Sequence, residues 1–226
     1  MNHILDNPIY NALKTRHVTL AEGESNTKYY QRDMASFAGM ENYSSSDLLK
    51  LYELLPDNGV FIVFYPEQLA IPSPWKIVRE IDMFQFVYEQ EDVPPSQMDV
   101  VLTDLNHNHV EEMTALVELT KPGPFISKTI DFGNYTGVFN NERLAAMAGH
   151  RFHPEGYIEV SAVCTHPDFL GKGYAYAIIR EQIKRIKEKS QIPFLHVRQD
   201  NEGAIKLYQK IGFNIRTKMQ AYVLAK

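Results

Sequence analysis

The chain has 226 residues, 44% hydrophobic and 12% aromatic, with 12 Gly, 12 Pro and a single Cys, which allows one large core or two small ones and excludes a disulfide framework. Its net charge is −5, and the acidic excess lies in residues 1–90, which hold 12 acidic against 7 basic side chains, while residues 91–226 hold 16 of each. With no polybasic tract, no apolar run of membrane length and no basic-then-apolar leader at Asn2, His3 and Asp6, neither nucleic acid nor membrane is expected as a partner, and a reducing cytoplasm is the expected location.

In chain order, Asn7-Pro8 caps a short helix through Leu13, and Ser46-Asp47 caps another through Leu55. Gly59 to Tyr65 and Trp75 to Tyr88 are β-prone, so residues 1–95 read as an accessory α/β region. Glu89 to Ser96, with charge and the pair Pro94-Pro95, reads as a linker that separates it from residues 96–226. Met98 to Leu102 then reads as a strand, and Val110, Met113, Leu116 and Val117 give helical spacing over His109 to Leu119, which Pro122 and Pro124 close. Val138 to Leu144 is a hairpin around Asn140-Asn141-Glu142, its second arm alternating Leu144, Ala146 and Ala148. A strand from Glu159, a helix with the stripe Ile178, Ile179, Ile183 and Ile186, a second strand and a helix capped by Asn201 complete a mixed α/β layer fold.

The segment Leu170-Gly171-Lys172-Gly173-Tyr174-Ala175 carries the strongest chemical signal. Two glycines one residue apart permit positive φ and close approach of bare backbone, and a helix begins at once, so several N–H groups converge with the positive helix end. Such a turn suits an anion. A P-loop is excluded because no glycine lies five residues before a Gly-Lys pair and no Ser or Thr follows it, and a dinucleotide fingerprint fails because its third glycine falls at Tyr176. Lys172 is the cation nearest this turn in sequence; Arg180, Lys184, Arg185, Lys187 and Lys189 read as a solvated helix face.

Val163-Cys164-Thr165-His166-Pro167-Asp168-Phe169-Leu170-Gly171-Lys172-Gly173-Tyr174-Ala175 resembles motif A of the GNAT acyltransferase superfamily, Q/R-x-x-G-x-G/A after a Val-rich strand, with Gly173 and Ala175 at the two small positions. Leu195-His196-Val197, Asp200-Asn201, Ala204, Leu207-Tyr208 and Gly212-Phe213 resemble motif B. Leu170 stands where the family has Arg or Gln, so that residue offers pyrophosphate its backbone and no side-chain contact. The resemblance covers Val100 onward. It implies a mostly antiparallel GNAT-type sheet flanked by helices, and the element order of residues 1–95 suggests a degenerate GNAT-like lobe beside it or a small domain covering one side of the acceptor cleft.

The activity so implied is transfer of an acetyl group from acetyl-CoA, as co-substrate, to an amine-bearing small molecule or peptide by direct attack. Residues 170–175 would hold pyrophosphate, backbone at Val163 and Thr165 would serve the oxyanion and pantetheine, and Asn201 would bind pantetheine or cap its helix. Tyr208 matches the family's general acid; it also fits a half-buried core tyrosine beside Leu207 and Ile211. Glu159, between Ile158 and Val160, is the candidate base with a raised pKa, or else a cross-strand charge partner or an edge residue. His150, His153, His166 and His196 read as structural histidines, and Cys164 as a small buried hydrophobe. The pairs His107/His109 and His150/His153 lack accompanying ligands, so no metal is expected. The second functional class is a catalytically weak acyl-CoA-binding module that regulates a partner. An oligomer is compatible with either.

Overall fold

A computed structural model describes residues 3–56 and 59–226. Its first part contains α1 (Pro8–Lys14), a three-stranded sheet of β1 (Ala21–Gly23), β2 (Thr27–Tyr30) and β3 (Ala38–Met40), α2 (Ser45–Leu54), β4 (Val60–Tyr65) and β5 (Lys76–Val87). There follow β6 (Thr103–Asp104), α3 (Val110–Thr120), β7 (Thr136–Asn140), β8 (Arg143–His150), β9 (Tyr157–Thr165), α4 (Tyr174–Lys187), β10 (Ile192–Arg198), α5 (Glu202–Ile211) and β11 (Asn214–Ala225).

Local chemistry sets many of these boundaries. Ser44 and Asp47 form a reciprocal capping box at the start of α2. The hairpin turn between β7 and β8 puts Asn141 and Glu142 at φ 48° and 64°, the left-handed pair that joins twisted strands tightly. Lys121 closes α3 in the left-handed conformation, and Pro122 blocks its continuation. Asn201 caps α5 by accepting from the Ala204 N–H at 3.1 Å, and Gly212 ends it at φ 114°.

The large sheet runs β4-β11-β5-β10-β9-β8-β7-β6, with β9 and β10 parallel and the other neighbours antiparallel. It is a mixed, mostly antiparallel sheet flanked by helices. Strand β5 lies between β10 and β11, pairing Val87 with both Phe194 and Asn214, so the sheet takes strands from both sides of the expected boundary at residue 95. The long antiparallel register with β11, from Asn214 to Ala225, draws the first part into the main sheet. The expected strand at 98–102 does not form: only Thr103–Asp104 pairs, with β7, and the preceding residues cross helix α4 as irregular chain.

Side-chain alternation assigns the faces. Phe86, Leu195 and Val197 pack with Tyr176, Ile179, Ile183, Tyr208 and Ile211 of α4 and α5. Met83, Val87 and Phe194, on the opposite parity, pack with Ile9 and Leu13 of α1 and with Tyr30 and Phe37. Helix α3 covers Met147 and Cys164 through Met113, Leu116 and Val117. No helix among the described residues is long and apolar enough to cross a membrane.

Candidate active site

Two strand features interrupt the pairing in the middle of the sheet. Strands β9 and β10 pair only where Tyr157–Glu159 meets Ile192–Phe194, and beyond those residues the ladder stops. In addition, β9 is bulged: its register with β8 passes from Ser161 opposite Gly149 to Cys164 opposite Met147, and Ala162 has φ 51°. The extra residue reverses the strand's parity, so Ile158 and Val160 pack under α4, whereas Ala162 and Cys164 face α3. Among the described residues, Ala162 and Val163 consequently have no ladder partner on either side, while Thr165 remains paired with Ala146.

The chain leaves β9 through a 3-10 turn, Pro167–Phe169, and enters α4 through Gly171 and Gly173, at φ 75° and 78°. Those angles are cheap only for glycine. The first backbone bond into α4 runs from the Ala177 N–H to the Gly173 carbonyl at 3.1 Å. Among the described residues, the six consecutive amides of Gly171, Lys172, Gly173, Tyr174, Ala175 and Tyr176 make no hydrogen bond. They therefore form a row of free donors at the positive end of a 14-residue helix. Leu170 is 66% exposed and contributes no polar side chain here. Lys172 rests its ammonium over the Phe169 ring, 4.8 Å from the centroid, and Arg143 reaches Asp168 at 3.0 Å, so both cations stand at the turn's edge.

Tyr208 projects from α5 into the cluster it shares with α4 and β10, its ring 6.0 Å from those of both Phe86 and Phe213. Burial, with a smaller contribution from Cys164, raises the phenol well above its ordinary pKa, so it keeps its proton at neutral pH. Its hydroxyl makes no hydrogen bond among the described residues and is not one of the sealed, unpartnered polar atoms. Asn201 spends its side-chain oxygen on the helix cap. Cys164 is buried, and burial pushes its thiol up to about 12, which suppresses the thiolate.

Glu159 departs from its expected chemistry. Its carboxylate is fully buried and accepts from Arg151 Nη2 at 2.6 Å, Arg151 Nε at 2.8 Å and His196 Nδ1 at 2.6 Å. Burial alone would raise its pKa; the Arg151 guanidinium and His196 overcome this and hold it at about 2. On the far side of the imidazole, Gln85 Nε2 lies 2.9 Å from His196 Nε2 and 2.8 Å from the Leu5 carbonyl. The Gln85 oxygen accepts from Arg216, so its nitrogen is the donor and His196 Nε2 the acceptor. The proton of His196 therefore sits on Nδ1, and the ring is neutral. Arg216 continues the chain to Asp6 at 2.6 Å. Glu159 is thus a locked anion in a structural network, correcting the expectation of a raised, proton-accepting carboxyl. Sequence spacing offered no signal for this: Arg151 is eight residues away and His196 thirty-seven.

Parallel strands that part after three residue pairs, a bulge on one of them, and a glycine turn opening a helix lie together on one stretch of the chain. The FR47-like protein family profile matches residues 135–223, which hold every one of these features. A GNAT-family protein from Novosphingobium aromaticivorans is 34% identical over 100% of this chain and 99% of its own, with a TM-score of 0.91. The chain belongs to the GNAT family. The fold is shared by a GCN5-related N-acetyltransferase-like protein from Streptococcus suis, at 17% identity, 98% and 95% coverage and TM-score 0.60. It is also shared by a GCN5-related N-acetyltransferase from Kribbella flavida, at 11% identity, 95% coverage of each chain and TM-score 0.62. No curated protein sequence matches the chain.

Proposed function

We propose that this protein transfers the acetyl group of acetyl-CoA directly to the amine of a small molecule or peptide. The observation that carries the reading is the row of six unsatisfied amides from Gly171 to Tyr176, at a helix N-terminus beside the interrupted edge of β9. Pyrophosphate would satisfy those donors, and the unpaired backbone of Ala162 and Val163 would take the pantetheine arm and the developing oxyanion. The thioester would then lie where β9 and β10 part, within the reach of α5.

Tyr208 serves as the donor to the departing sulfur. An ordinary thiol near pKa 8.5 is a stronger acid than a phenol near 10, so full proton transfer to thiolate is uphill by about 2 kcal/mol in isolation. Tyr208 therefore acts by a hydrogen bond that strengthens as the C–S bond breaks and charge collects on sulfur. Glu159, held at about 2 and occupied by Arg151, His196 and the Phe152 N–H, takes no proton from the amine. The acceptor attacks in its neutral form and loses its proton to water. No metal takes part in this scheme.

The locked state of Glu159 also favours the second reading, a cofactor-binding module with weak catalysis. Thiol release from acetyl-CoA, followed with amino acids, polyamines, aminoglycosides and peptide N-termini alongside measured acetyl-CoA affinity, separates the two. Turnover with any amine supports the enzyme; tight binding without turnover across the panel supports the module; absence of binding overturns both.

A further inference from the structure

We propose that residues 91–99 form a gate over the phosphate-binding turn, with Met98 as its cover and Tyr176 and Arg180 as its latch; this rests on the cofactor reading above. After β5 the chain runs along one side of α4 toward that helix's N-terminus. The carbonyls of Gln90, Pro94 and Pro95 accept in turn from Lys187 Nζ at 2.8 Å, Arg180 Nε at 2.6 Å and the Tyr176 hydroxyl at 3.2 Å. The strap then reaches the turn itself: Met98 Sδ lies 3.0 Å from the position a Cβ would occupy on Gly173.

Two properties make this a removable cover. Among the described residues, no backbone N–H from Glu91 to Asp99 makes a hydrogen bond, so the strap belongs to no ladder and is held through its carbonyls by side chains of α4 and, at Asp92, by the Tyr88 hydroxyl at 2.6 Å. Moreover, a thioether is a weak acceptor, and the six amides of the turn make no hydrogen bond among the described residues. Phosphate oxygens satisfy those amides and need the space at the mouth of the turn. The strap accordingly covers the turn and swings off it when the cofactor binds.

Apparent affinity then equals intrinsic affinity multiplied by the fraction of molecules with the strap open. Met98→Ala removes the cover and Tyr176→Phe loosens the latch, so both should bind CoA more tightly, by about threefold or more if most molecules are closed, through faster association. As a second readout, a fluorophore on Ser96→Cys, which the buried Cys164 does not compete for, should lose anisotropy when CoA is added. CoA binding with unchanged or weaker affinity in both variants, or a label that does not respond, overturns the gate and leaves the cofactor reading intact. If neither wild type nor variants bind CoA, the cofactor reading falls and the gate with it. Binding by the variants but not by the wild type supports the gate in its strongest form.

Discussion

Replacing Glu159 by Gln separates a structural carboxylate from a catalytic one. The substitution keeps the shape and one acceptor oxygen but removes the charge that faces Arg151, whose side chain is 14% exposed, at contacts of 2.6 and 2.8 Å. Breaking a buried pair and leaving its partner charged costs about 3–5 kcal/mol, and the retained acceptor places Gln near the lower figure. For a chain of this size each kcal/mol moves the melting temperature by roughly 2–4 °C, so a fall of about 6–12 °C is expected. The assay is scanning calorimetry paired with kcat measured well below the transition, where the variant is folded. The structural account expects the lower Tm with kcat within a few-fold of wild type. A Tm shift under about 2 °C together with a kcat loss of about a hundredfold would refute it and restore Glu159 as the base. The stability gap also has a pH signature: the carboxyl falls from 4.5 unfolded to about 2 folded, so its contribution is complete above about pH 4.5 and fades as pH drops toward 2.

Tyr208→Phe removes only the hydroxyl, so acetyl-CoA affinity and fold should survive while kcat falls by about 10²-fold; a kcat within a few-fold of wild type assigns Tyr208 to packing alone. His17 and His150 are buried with pKa lowered from 6.5 to about 3, so the unfolded chain takes up protons that the folded one refuses. Stability should therefore decline as pH falls from 6.5, by about 2 kcal/mol for each ring at pH 5, read from urea midpoints. Among the described residues, neither ring nitrogen of His150 has a partner at normal hydrogen-bond geometry, and Gln182 interacts with the ring only weakly, so His150→Leu should stabilise the protein by about 1–3 kcal/mol at pH 7 and by more at pH 5. A variant less stable at both pH values contradicts that explanation.

Sequence made the local features legible and left the non-local ones hidden. The glycine turn, the hairpin and the Asn201 cap are written in adjacent residues, because φ, capping and strand alternation are short-range properties. Helix α2 is instead capped by Ser44, two residues before the expected Ser46, and Asn7 turns its side chain to the Met40 carbonyl and Tyr43 rather than capping α1. Helix α4 follows its isoleucine stripe, and Asn201 proves to be the cap that one of its two expected roles required. The small sheet β1-β2-β3 was missed since its strands are three or four residues long. The place of β5 depends on pairing with residues more than a hundred positions away. Prolines and charge marked residues 89–96 as irregular, but only the donors on α4 reveal them as a strap across that helix. Glu159 alternates correctly with Ile158 and Val160, yet its ionisation depends on Arg151 and His196, which periodicity does not reach.

Calorimetric titration with acetyl-CoA, comparing wild type with Gly173→Asp, reports whether the Gly171–Ala175 turn holds the cofactor. Gly173 sits at φ 78°, a conformation Asp tolerates better than most residues, and its new Cβ would lie 3.0 Å from the flexible end of Met98, so the variant should fold. Its carboxylate would stand against phosphate at the row of free amides. Wild type should bind saturably and the variant at least about tenfold more weakly, the loss of one or two charge-assisted contacts. Equal affinity in the two folded proteins would contradict the assignment of the Gly171–Ala175 turn to the cofactor.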